Sequence, residues 1–264
     1  MPVTPPSATI ELPGQVAIVT GGTRGLGRTI AEALAGAGCA VTVCGRTAPD
    51  DLPPGIAFEA ADVRDPEQTR ALVDRVAERH GRIDILVNNA GGSPPSEAAR
   101  ASPRFAEAIL KLNLLGPLFM AQAAHRHMAA AGGGSIVNIA SVAGARPSPG
   151  TAVYGAAKAG LLSLTQSLAQ EWGTQGVRVN AVIAGLMQTE TAEATYGSAE
   201  AQAEIAASLP LGRMGLGQDL ADAVLYLCSP LAAYVSGARL QVDGGGERPL
   251  FLELIAREGS GDGR

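Results

Sequence analysis

The stretch QVAIVTGGTRGLG, residues 15–27, decides how the chain folds. Residues 15–20 form a short run rich in apolar and β-branched side chains, which is typical of a strand buried on both faces. The glycines that follow at 21, 25 and 27 lead into an apolar-periodic segment, so they form the turn between a strand and a helix. Free N–H groups at such a helix start attract phosphate, and the segment therefore predicts a dinucleotide-binding turn.

Each glycine of this turn has a separate physical task. Gly21 permits the tight turn, Gly25 lets the backbone approach a diphosphate, and Gly27 lets helix and strand pack closely. The other turn residues that we expect at the dinucleotide are Thr23, Arg24 and Leu26.

Strand-like and helix-like segments alternate along the rest of the chain. This pattern predicts an α/β fold: a Rossmann-type, doubly wound, mostly parallel sheet of seven strands with helices on both faces, in a single domain. The predicted strands are 15–20, 40–44, 56–61, 83–87, 135–140, 177–183 and 238–242. The predicted helices are 25–37, 66–80, 104–130 with a bend at Gly116-Pro117, 151–175 and 217–229.

No internal linker divides the chain. We expect residues 1–13 to be a flexible lead-in, residues 14–246 to be the folded domain and residues 247–264 to be a tail that docks on a neighbouring subunit or frays. The polar, weakly periodic segment 186–210 follows a strand end, where a substrate lid would lie.

Composition narrows the class of protein. Hydrophobic residues make up 46% of the 264 residues and aromatic residues only 3%, so the core is aliphatic. A net charge of −5 disfavours nucleic acid and anionic membranes as partners. No apolar run reaches the roughly 18 residues of a membrane span, and the N-terminus lacks the regions of a signal peptide, so we expect a cytoplasmic protein. The three cysteines lack metal-ligand spacing, and we predict no metal site.

The end of the second predicted strand bears on the choice of cofactor. Neither residue 45 nor residue 46 is acidic, so no carboxylate is placed to bind a ribose 2′-hydroxyl there. Arg46 could instead hold a 2′-phosphate with help from Arg24, which favours NADP(H) over NAD(H). Asp62, after the third strand, could accept a hydrogen bond from the adenine amino group or simply cap the next turn.

Tyr154, Lys158 and Ser141 form a candidate proton-transfer site. Tyr154 and Lys158 are four residues apart and share a helix face, and an adjacent ammonium would lower the pKa of a phenol from its usual value of about 10. Ser141, at the end of an apolar strand, could hold the substrate oxygen. Taken alone, the spacing also suits an amphipathic helix with a snorkelling lysine.

In this order, the motifs resemble those of the short-chain dehydrogenase/reductase family, and the resemblance spans about residues 14–246. The motifs are TGGTRGLG (20–27), Asp62-Val63, Asn88-Asn89-Ala90-Gly91, Asn113, Ser141, Tyr154 with Lys158, and Val242-Asp243-Gly244-Gly245. One departure from the family is Ala184-Gly185, where proline usually precedes the glycine.

The resemblance implies a role for each catalytic residue. Tyr154 would be the general acid for reduction and the base for oxidation. Lys158 would lower the pKa of Tyr154 and bind the nicotinamide ribose, Ser141 would polarise the carbonyl, and Asn113 would hold a water that links Lys158 to solvent. The other residues implied at the cofactor are Asp62, Val63, Asn89, Ala90, Gly91, Ala184, Gly185, Met187 and Thr189.

The implied substrate pocket is mostly small and apolar, which suits a hydrophobic ketone. Its residues are Gly92, Ser93, Ser141, Val142, Ala143, Leu186, Met187 and Tyr196. Arg146 could add a charge that sets specificity, or it could be solvated. The resemblance also implies a homotetramer or a dimer, assembled through the helices at 104–130 and 151–175.

We therefore expect an NADP(H)-dependent oxidoreductase that interconverts a carbonyl and an alcohol on a small molecule. The first alternative is a 3-oxoacyl-acyl-carrier-protein reductase, which the absence of basic residues from 128–134 and 166–176 disfavours because carrier proteins are acidic. A non-catalytic cofactor sensor should have lost Tyr154, Lys158 or Ser141, and an epimerase or dehydratase usually has a longer chain.

Overall fold

A computed structural model describes residues 10–249 together with Phe251 and Ile255. Residues 1–9 of the predicted lead-in and most of the predicted tail lie outside the described residues, so both predictions stay untested. No helix in the described part of the chain is long and apolar enough to cross a bilayer.

The described chain alternates strands and helices, as predicted. The strands are β1 (Val16–Thr20), β2 (Ala40–Gly45), β3 (Ile56–Ala60), β4 (Ile85–Asn88), β5 (Gly134–Ser141), β6 (Val177–Ala184) and β7 (Arg239–Val242). The helices are α1 (Gly25–Gly36), α2 (Pro66–His80), α3 (Pro103–Leu110), α4 (Gly116–Ala130), α5 (Ala152–Trp172), α6 (Ala192–Tyr196), α7 (Ala199–Ser208) and α8 (Gly217–Cys228).

One sheet contains all seven described strands, in the order β3-β2-β1-β4-β5-β6-β7. Every pairing between them is parallel, so the predicted sheet is confirmed and no strand is antiparallel within the described range. The order in which the chain adds strands changes sides between β1 and β4: β2 and β3 lie on one side of β1, and β4 to β7 lie on the other. At such a switch point a crevice opens at the carboxyl ends of the strands, which is where ligands bind in this class of sheet.

Two aliphatic layers cover the two faces of the sheet. Ile30 and Leu34 of α1 pack with Leu220 and Val224 of α8 on one face. On the other face the buried side chains come from α2, α4 and the C-terminal half of α5. Every residue of β1 is buried, which explains its run of apolar side chains without a polar alternation.

Helix α2 shows how local sequence sets the ends of an element. Asp65 accepts hydrogen bonds from the amides of Glu67 and Gln68, and Pro66 occupies the first turn, where its missing N–H costs nothing. At the other end Gly81 takes a left-handed conformation with φ of 78°.

The helix predicted over 104–130 is confirmed in its extent: helical backbone runs without a break from Pro103 to Ala130, and an irregular turn lies directly before the predicted bend at Gly116-Pro117. Helix α3 ends at Leu110, a π-helical turn spans Lys111–Leu115, and α4 begins at Gly116. The amide of Gly116 donates to the carbonyl of Lys111, and the next residue, Pro117, has no N–H to donate to Asn113 four residues back. The widened turn places Asn113 at its centre, and such turns are frequent at functional sites.

The predicted lid, 186–210, is more ordered than its weak periodicity suggests. It contains the short helices α6 and α7, and Ser198 caps α7 by accepting a hydrogen bond from Ala201. Met187 at its start pairs with Gly215 in an isolated parallel bridge. The segment is therefore tied down at its base and carries helical structure above the carboxyl edge of the sheet.

Candidate active site

The turn between β1 and α1 is built by close backbone approach. Gly21 and Gly25 have φ of 63° and 56°, a region that other residues rarely adopt. A Cβ at Gly27 would lie 2.3 Å from Asn89 Nδ2 and 2.4 Å from the Gly21 carbonyl oxygen. Only glycine fits there, so the helix start lies against the turn as the sequence predicts.

Asn89 braces this turn from the end of β4. Its Nδ2 donates to the carbonyl oxygens of Thr20 and Gly21, at 3.0 and 3.2 Å. The hydroxyl of Thr20 accepts in return from the amides of Asn89 and Ala90. Asn89 thus holds the glycine turn in its conformation, and Ala90 lies beside Gly21.

We expect Gly27→Ala to weaken cofactor binding by at least tenfold and to lower the free energy of unfolding by about 1–3 kcal/mol, because the added methyl must displace Asn89 or the turn. Binding of a reduced nicotinamide cofactor by fluorescence titration and urea unfolding would measure the two effects. The matched control is Gly36→Ala in the same helix, where a Cβ meets nothing within 4 Å. That exchange should stabilise by about 0.5–1 kcal/mol and leave binding unchanged; equal behaviour of the two variants would contradict the packing argument.

The outer end of the predicted cofactor site lies at the tips of β2 and β3. Arg46 is exposed directly after β2, and Gly45 before it packs near Thr23 of the glycine turn. Asp62 is engaged by Arg64, whose guanidinium holds the pKa of that carboxyl below its usual value, and the charge of Arg46 acts in the same direction. No pattern in the sequence indicated that Arg64 would cover Asp62, so an adenine amino group at this position would have to share the carboxylate with it.

These residues fit a dinucleotide. The backbone of the glycine turn is open to a ligand at Gly25, where a Cβ would meet only Glu190 Oε2 at 3.4 Å, and two exposed arginines, Arg24 and Arg46, lie beside the turn. Leu26 is half-buried in the same turn, whereas Val63 is buried in the core beneath α4. Val63 can therefore reach a ligand only through its backbone.

Lys158 is buried and has one clear partner. Only 3% of its surface is exposed, and its Nζ donates to the carbonyl oxygen of Ile139 at 2.7 Å. Burial lowers the pKa of Lys158 from 10.5 to about 8. The ammonium lies 5.7 Å from the centroid of the Tyr154 ring, so both side chains face the same side of α5, as their spacing predicts.

Tyr154 differs from the expectation in one respect. Burial raises the pKa of its hydroxyl, contact with Ser141 acts in the opposite direction, and the nearby Tyr196 raises it further. We expected Lys158 to lower this pKa, but desolvation outweighs any such effect here. The phenol is therefore protonated at neutral pH and can act as an acid.

Ser141 is the last residue of β5 and opens a tight turn. Its Oγ accepts a hydrogen bond from the amide of Ala143 at 3.2 Å, which leaves the hydroxyl proton free to be donated. The turn is pressed against α5: a Cβ at Gly144 would lie 2.6 Å from the Lys158 backbone, and one at Gly155 would lie 2.8 Å from the Ala143 carbonyl oxygen. This packing fixes the serine turn relative to the helix that carries Tyr154 and Lys158.

Asn113 closes the inner side of the site. Its Oδ1 accepts from the amide of Gly92 at 2.9 Å, and its Nδ2 donates to the carbonyl oxygens of Gly92 and Ile109. A Cβ at Gly91 would lie 2.7 Å from this Oδ1 and 3.2 Å from Lys158 Nζ. Gly91 thus links the loop after β4 to the lysine; the water-holding role of Asn113 stays a prediction.

Beside this cluster lies a cavity of about 210 Å³. Of the predicted substrate residues, Val142 and Leu186 line it, together with Gly185 from the predicted cofactor set. Gly185 follows Ala184, which pairs with Ser141 in the sheet, so the cavity adjoins the serine. Its remaining lining residues are Ala145, Arg146, Leu209, Gln241, Asp243, Gly245, Gly246 and Glu247.

The polar wall of this cavity was not foreseen. Arg146, which the sequence left open between a specificity role and a solvated surface, lines the cavity and forms an ion pair with Glu247. The cavity therefore has one apolar wall and one charged wall, instead of the mostly apolar lining that we predicted. The pairing of residues about a hundred positions apart leaves no signal in a single sequence.

The other predicted substrate residues lie outside this lining. Ala143 lines a shallow depression beside α5, and the Ser93 hydroxyl donates to the carbonyl oxygen of Pro94. The Tyr196 hydroxyl accepts from the amide of Met187 at 3.3 Å, and Met187 itself is buried against Gly215.

One lid residue that we did not predict touches the glycine turn. Glu190 Oε1 accepts a hydrogen bond from the amide of Gly25 at 3.2 Å. Its neighbour Thr189, predicted at the cofactor, exchanges a hydrogen bond with Thr191. The lid therefore reaches across the crevice to α1.

Comparisons with known proteins show the family to which the chain belongs. A family model described as Enoyl-(Acyl carrier protein) reductase matches residues 21–247. The 2-dehydro-3-deoxy-D-gluconate 5-dehydrogenase of Escherichia coli K12 is 36% identical over 243 residues, covering 89% of this chain and 96% of that protein. The 3-oxoacyl-(acyl-carrier-protein) reductase FabG of Aquifex aeolicus is 37% identical over 248 residues, covering 89% and 98%.

A solved structure is similar over nearly the same range. The gluconate 5-dehydrogenase of Burkholderia cenocepacia J2315, in complex with NADP and tartrate, superposes with a TM-score of 0.83 at 33% identity, covering 90% of this chain and 96% of that chain. The fold and these relatives define an oxidoreductase that uses a nicotinamide cofactor. The chain belongs to the short-chain dehydrogenase/reductase family.

Proposed function

We propose that the chain is an NADP(H)-dependent oxidoreductase that interconverts a ketone or aldehyde and an alcohol on a small molecule. The observation that carries the proposal is the convergence of Ser141, Tyr154 and Lys158 at the carboxyl edge of the sheet, next to the loop that braces the glycine turn. When bound, the nicotinamide supplies or accepts the hydride.

The protein's own groups handle the proton and the alignment. In reduction, Ser141 donates a hydrogen bond to the carbonyl oxygen, and the neutral hydroxyl of Tyr154 gives that oxygen its proton. Lys158 uses one N–H on Ile139, which leaves two for the nicotinamide ribose. In oxidation the proton moves back from the alcohol to Tyr154.

The preference for NADP(H) rests on the end of β2. Arg46 is exposed there, no carboxylate occupies position 45 or 46, and Asp62 nearby is already paired with Arg64. A ribose 2′-phosphate would meet cationic side chains at this point, whereas a 2′-hydroxyl would find no acidic acceptor at the strand end. The solved relative in complex with NADP supports this preference.

Arg46→Ala should weaken NADPH binding by about ten- to a hundredfold, the value of a lost hydrogen bond to a charged group, and should change NADH binding by less than about twofold. Equilibrium titration of both cofactors measures the contrast. The control is Arg70→Ala, which removes the same charge from the exposed side of α2. Equal losses for NADPH and NADH would refute the 2′-phosphate contact.

The substrate class follows from the cavity beside Ser141. We propose a small ketone that places an apolar face against Val142, Leu186 and Leu209, with a polar group toward the Arg146–Glu247 wall. NADPH oxidation should be measured with a cyclic ketone, a hydroxylated keto acid and a 3-oxoacyl thioester. Failure to reduce any carbonyl, in a protein that binds NADPH, would remove the proposal.

A 3-oxoacyl-acyl-carrier-protein reductase is the second candidate, because relatives with that name match the whole domain. The thioester in the same panel distinguishes it: turnover limited to the thioester would favour this candidate over the small ketone. We also propose a homo-oligomer, a tetramer or a dimer, through the surfaces of α4 and α5; light scattering that gives a monomer would refute it.

A further inference from the structure

Glu190, in the lid, lies at the start of α1. Its Oε1 accepts the hydrogen bond from the Gly25 amide at 3.2 Å, and its Oε2 lies 3.4 Å from where a Cβ would stand on Gly25. The two residues are 165 positions apart, so the contact joins separate parts of the fold. Glu190 belongs to the same segment as Leu186 and Leu209, which line the cavity beside Ser141.

The N-terminus of helix α1 lacks a side-chain cap of its own, which favours such a carboxylate. Its N-cap residue is Arg24, whose side chain makes no capping hydrogen bond in the described structure, and its first turn contains no acidic residue. The unsatisfied amides and the positive end of the helix dipole therefore favour an anion from elsewhere. The Glu190 carboxylate, which comes from the lid, provides this anion and caps the helix.

The same amides are those that a dinucleotide diphosphate needs. A diphosphate at this turn and the Glu190 carboxylate carry like charges and require the same N–H group, so both cannot occupy it. We propose that Glu190 is a built-in competitor for the cofactor diphosphate, displaced when the dinucleotide binds. This inference rests on the proposed function, because it assumes a dinucleotide at the glycine turn.

Displacement of Glu190 couples the cofactor site to the substrate cavity. While Glu190 holds Gly25, the segment that carries Leu186 and Tyr196 is tied to α1; once the diphosphate takes the amide, that tie is broken. The two effects are reciprocal. The Glu190–Gly25 contact weakens cofactor binding by a certain factor, and bound cofactor weakens that contact by the same factor. The arrangement predicts that cofactor binding frees the lid from α1.

Glu190→Gln tests the competition directly, since it keeps the shape of the side chain and removes the charge. We expect its dissociation constant for NADPH to fall about two- to fivefold, the range expected for one carboxylate at a helix start. Glu193→Gln, three residues along the same lid, removes the same charge from an exposed position in α6 and should leave the constant unchanged.

Cofactor fragments locate the effect. ADP-ribose, which carries the diphosphate, should gain affinity for Glu190→Gln, whereas adenosine 2′-monophosphate, which lacks it, should not. A second readout needs no cofactor: chymotrypsin should cleave after Tyr196 about two- to fivefold faster in Glu190→Gln than in the wild type or Glu193→Gln, because the tie to α1 is weaker.

The outcomes separate the two levels of the argument. A wild-type protein that binds neither NADPH nor NADH overturns the proposed function itself. A wild-type protein that binds NADPH, with Glu190→Gln binding it equally or more weakly, overturns the competition alone. A gain of equal size in Glu193→Gln would show that the effect is the general charge of the lid, and would overturn it too.

Discussion

Tyr154→Phe should lower the turnover of a ketone about 10²- to 10⁴-fold, the range associated with loss of a general acid, while the dissociation constant for NADPH changes by less than about twofold. The ring of Tyr154 packs in place beside Lys158, so phenylalanine keeps the shape of the site and removes only the hydroxyl. Steady-state kinetics and cofactor titration on the same preparation measure the two parts of the prediction.

The pH dependence gives this prediction a second readout. Because burial raises the pKa of Tyr154 above its usual value, the hydroxyl carries its proton through the neutral range. Reduction should therefore be insensitive to deprotonation of the phenol near pH 7 and should fall only at alkaline pH, whereas oxidation, which needs the phenolate, should rise with pH. The residual activity of Tyr154→Phe should lack both trends.

The control is Tyr196→Phe, which removes a hydroxyl close to the same site. That hydroxyl accepts a hydrogen bond from the Met187 amide, so its loss should cost at most about tenfold in turnover. If Tyr154→Phe retains wild-type turnover, or if Tyr196→Phe is the more damaged variant, Tyr154 is not the proton donor.

Much of the fold could be read from the sequence because its signals are local. Gly21 and Gly25 report backbone conformations that only glycine adopts cheaply, and Gly27 reports close packing against the turn. The apolar runs report burial on both faces of a parallel sheet. The pattern over 104–130 predicts the extent of that helix but not its π-helical turn at Lys111–Leu115, because that turn depends on a backbone bond from Gly116 and leaves no apolar period.

In the candidate site, too, local features could be predicted from the sequence and long-range contacts could not. Tyr154 and Lys158 come from one helix, so their spacing predicted their common face. The contacts that tune them come from distant segments: the Ile139 carbonyl for Lys158, and Glu190 for the glycine turn. A single sequence does not encode such pairings as a spacing, and the direction of the Tyr154 pKa depends on burial that only the folded chain supplies.

Lys158→Met should abolish turnover. Its stability relative to the wild type should be higher at neutral pH than at alkaline pH. Burial lowers the pKa of Lys158 to about 8, against 10.5 for the exposed group. Between these values the unfolded chain binds more protons than the folded one, so the wild type gains stability as pH rises. Below pH 8 the full cost of a buried charge is present.

The difference in unfolding free energy between Lys158→Met and the wild type should therefore shift by about 3 kcal/mol, in favour of the wild type, between pH 7 and pH 10.5. Part of the variant's advantage at pH 7 is offset, because the Ile139 carbonyl loses its partner at a cost of about 1–3 kcal/mol. Using the difference cancels the titration of other groups, such as the buried thiols of Cys39, Cys44 and Cys228, whose pKa values are also raised by burial.

Urea unfolding at a series of pH values measures this shift, and Lys111→Met is the matched control. Lys111 is the only other lysine in the sequence and is exposed, so its loss should give a difference that does not change with pH. A pH-independent difference for Lys158→Met would show that the buried ammonium costs the fold nothing. A pH-dependent shift together with lost turnover would mean that the chain retains a destabilising cation because the reaction at Tyr154 requires it.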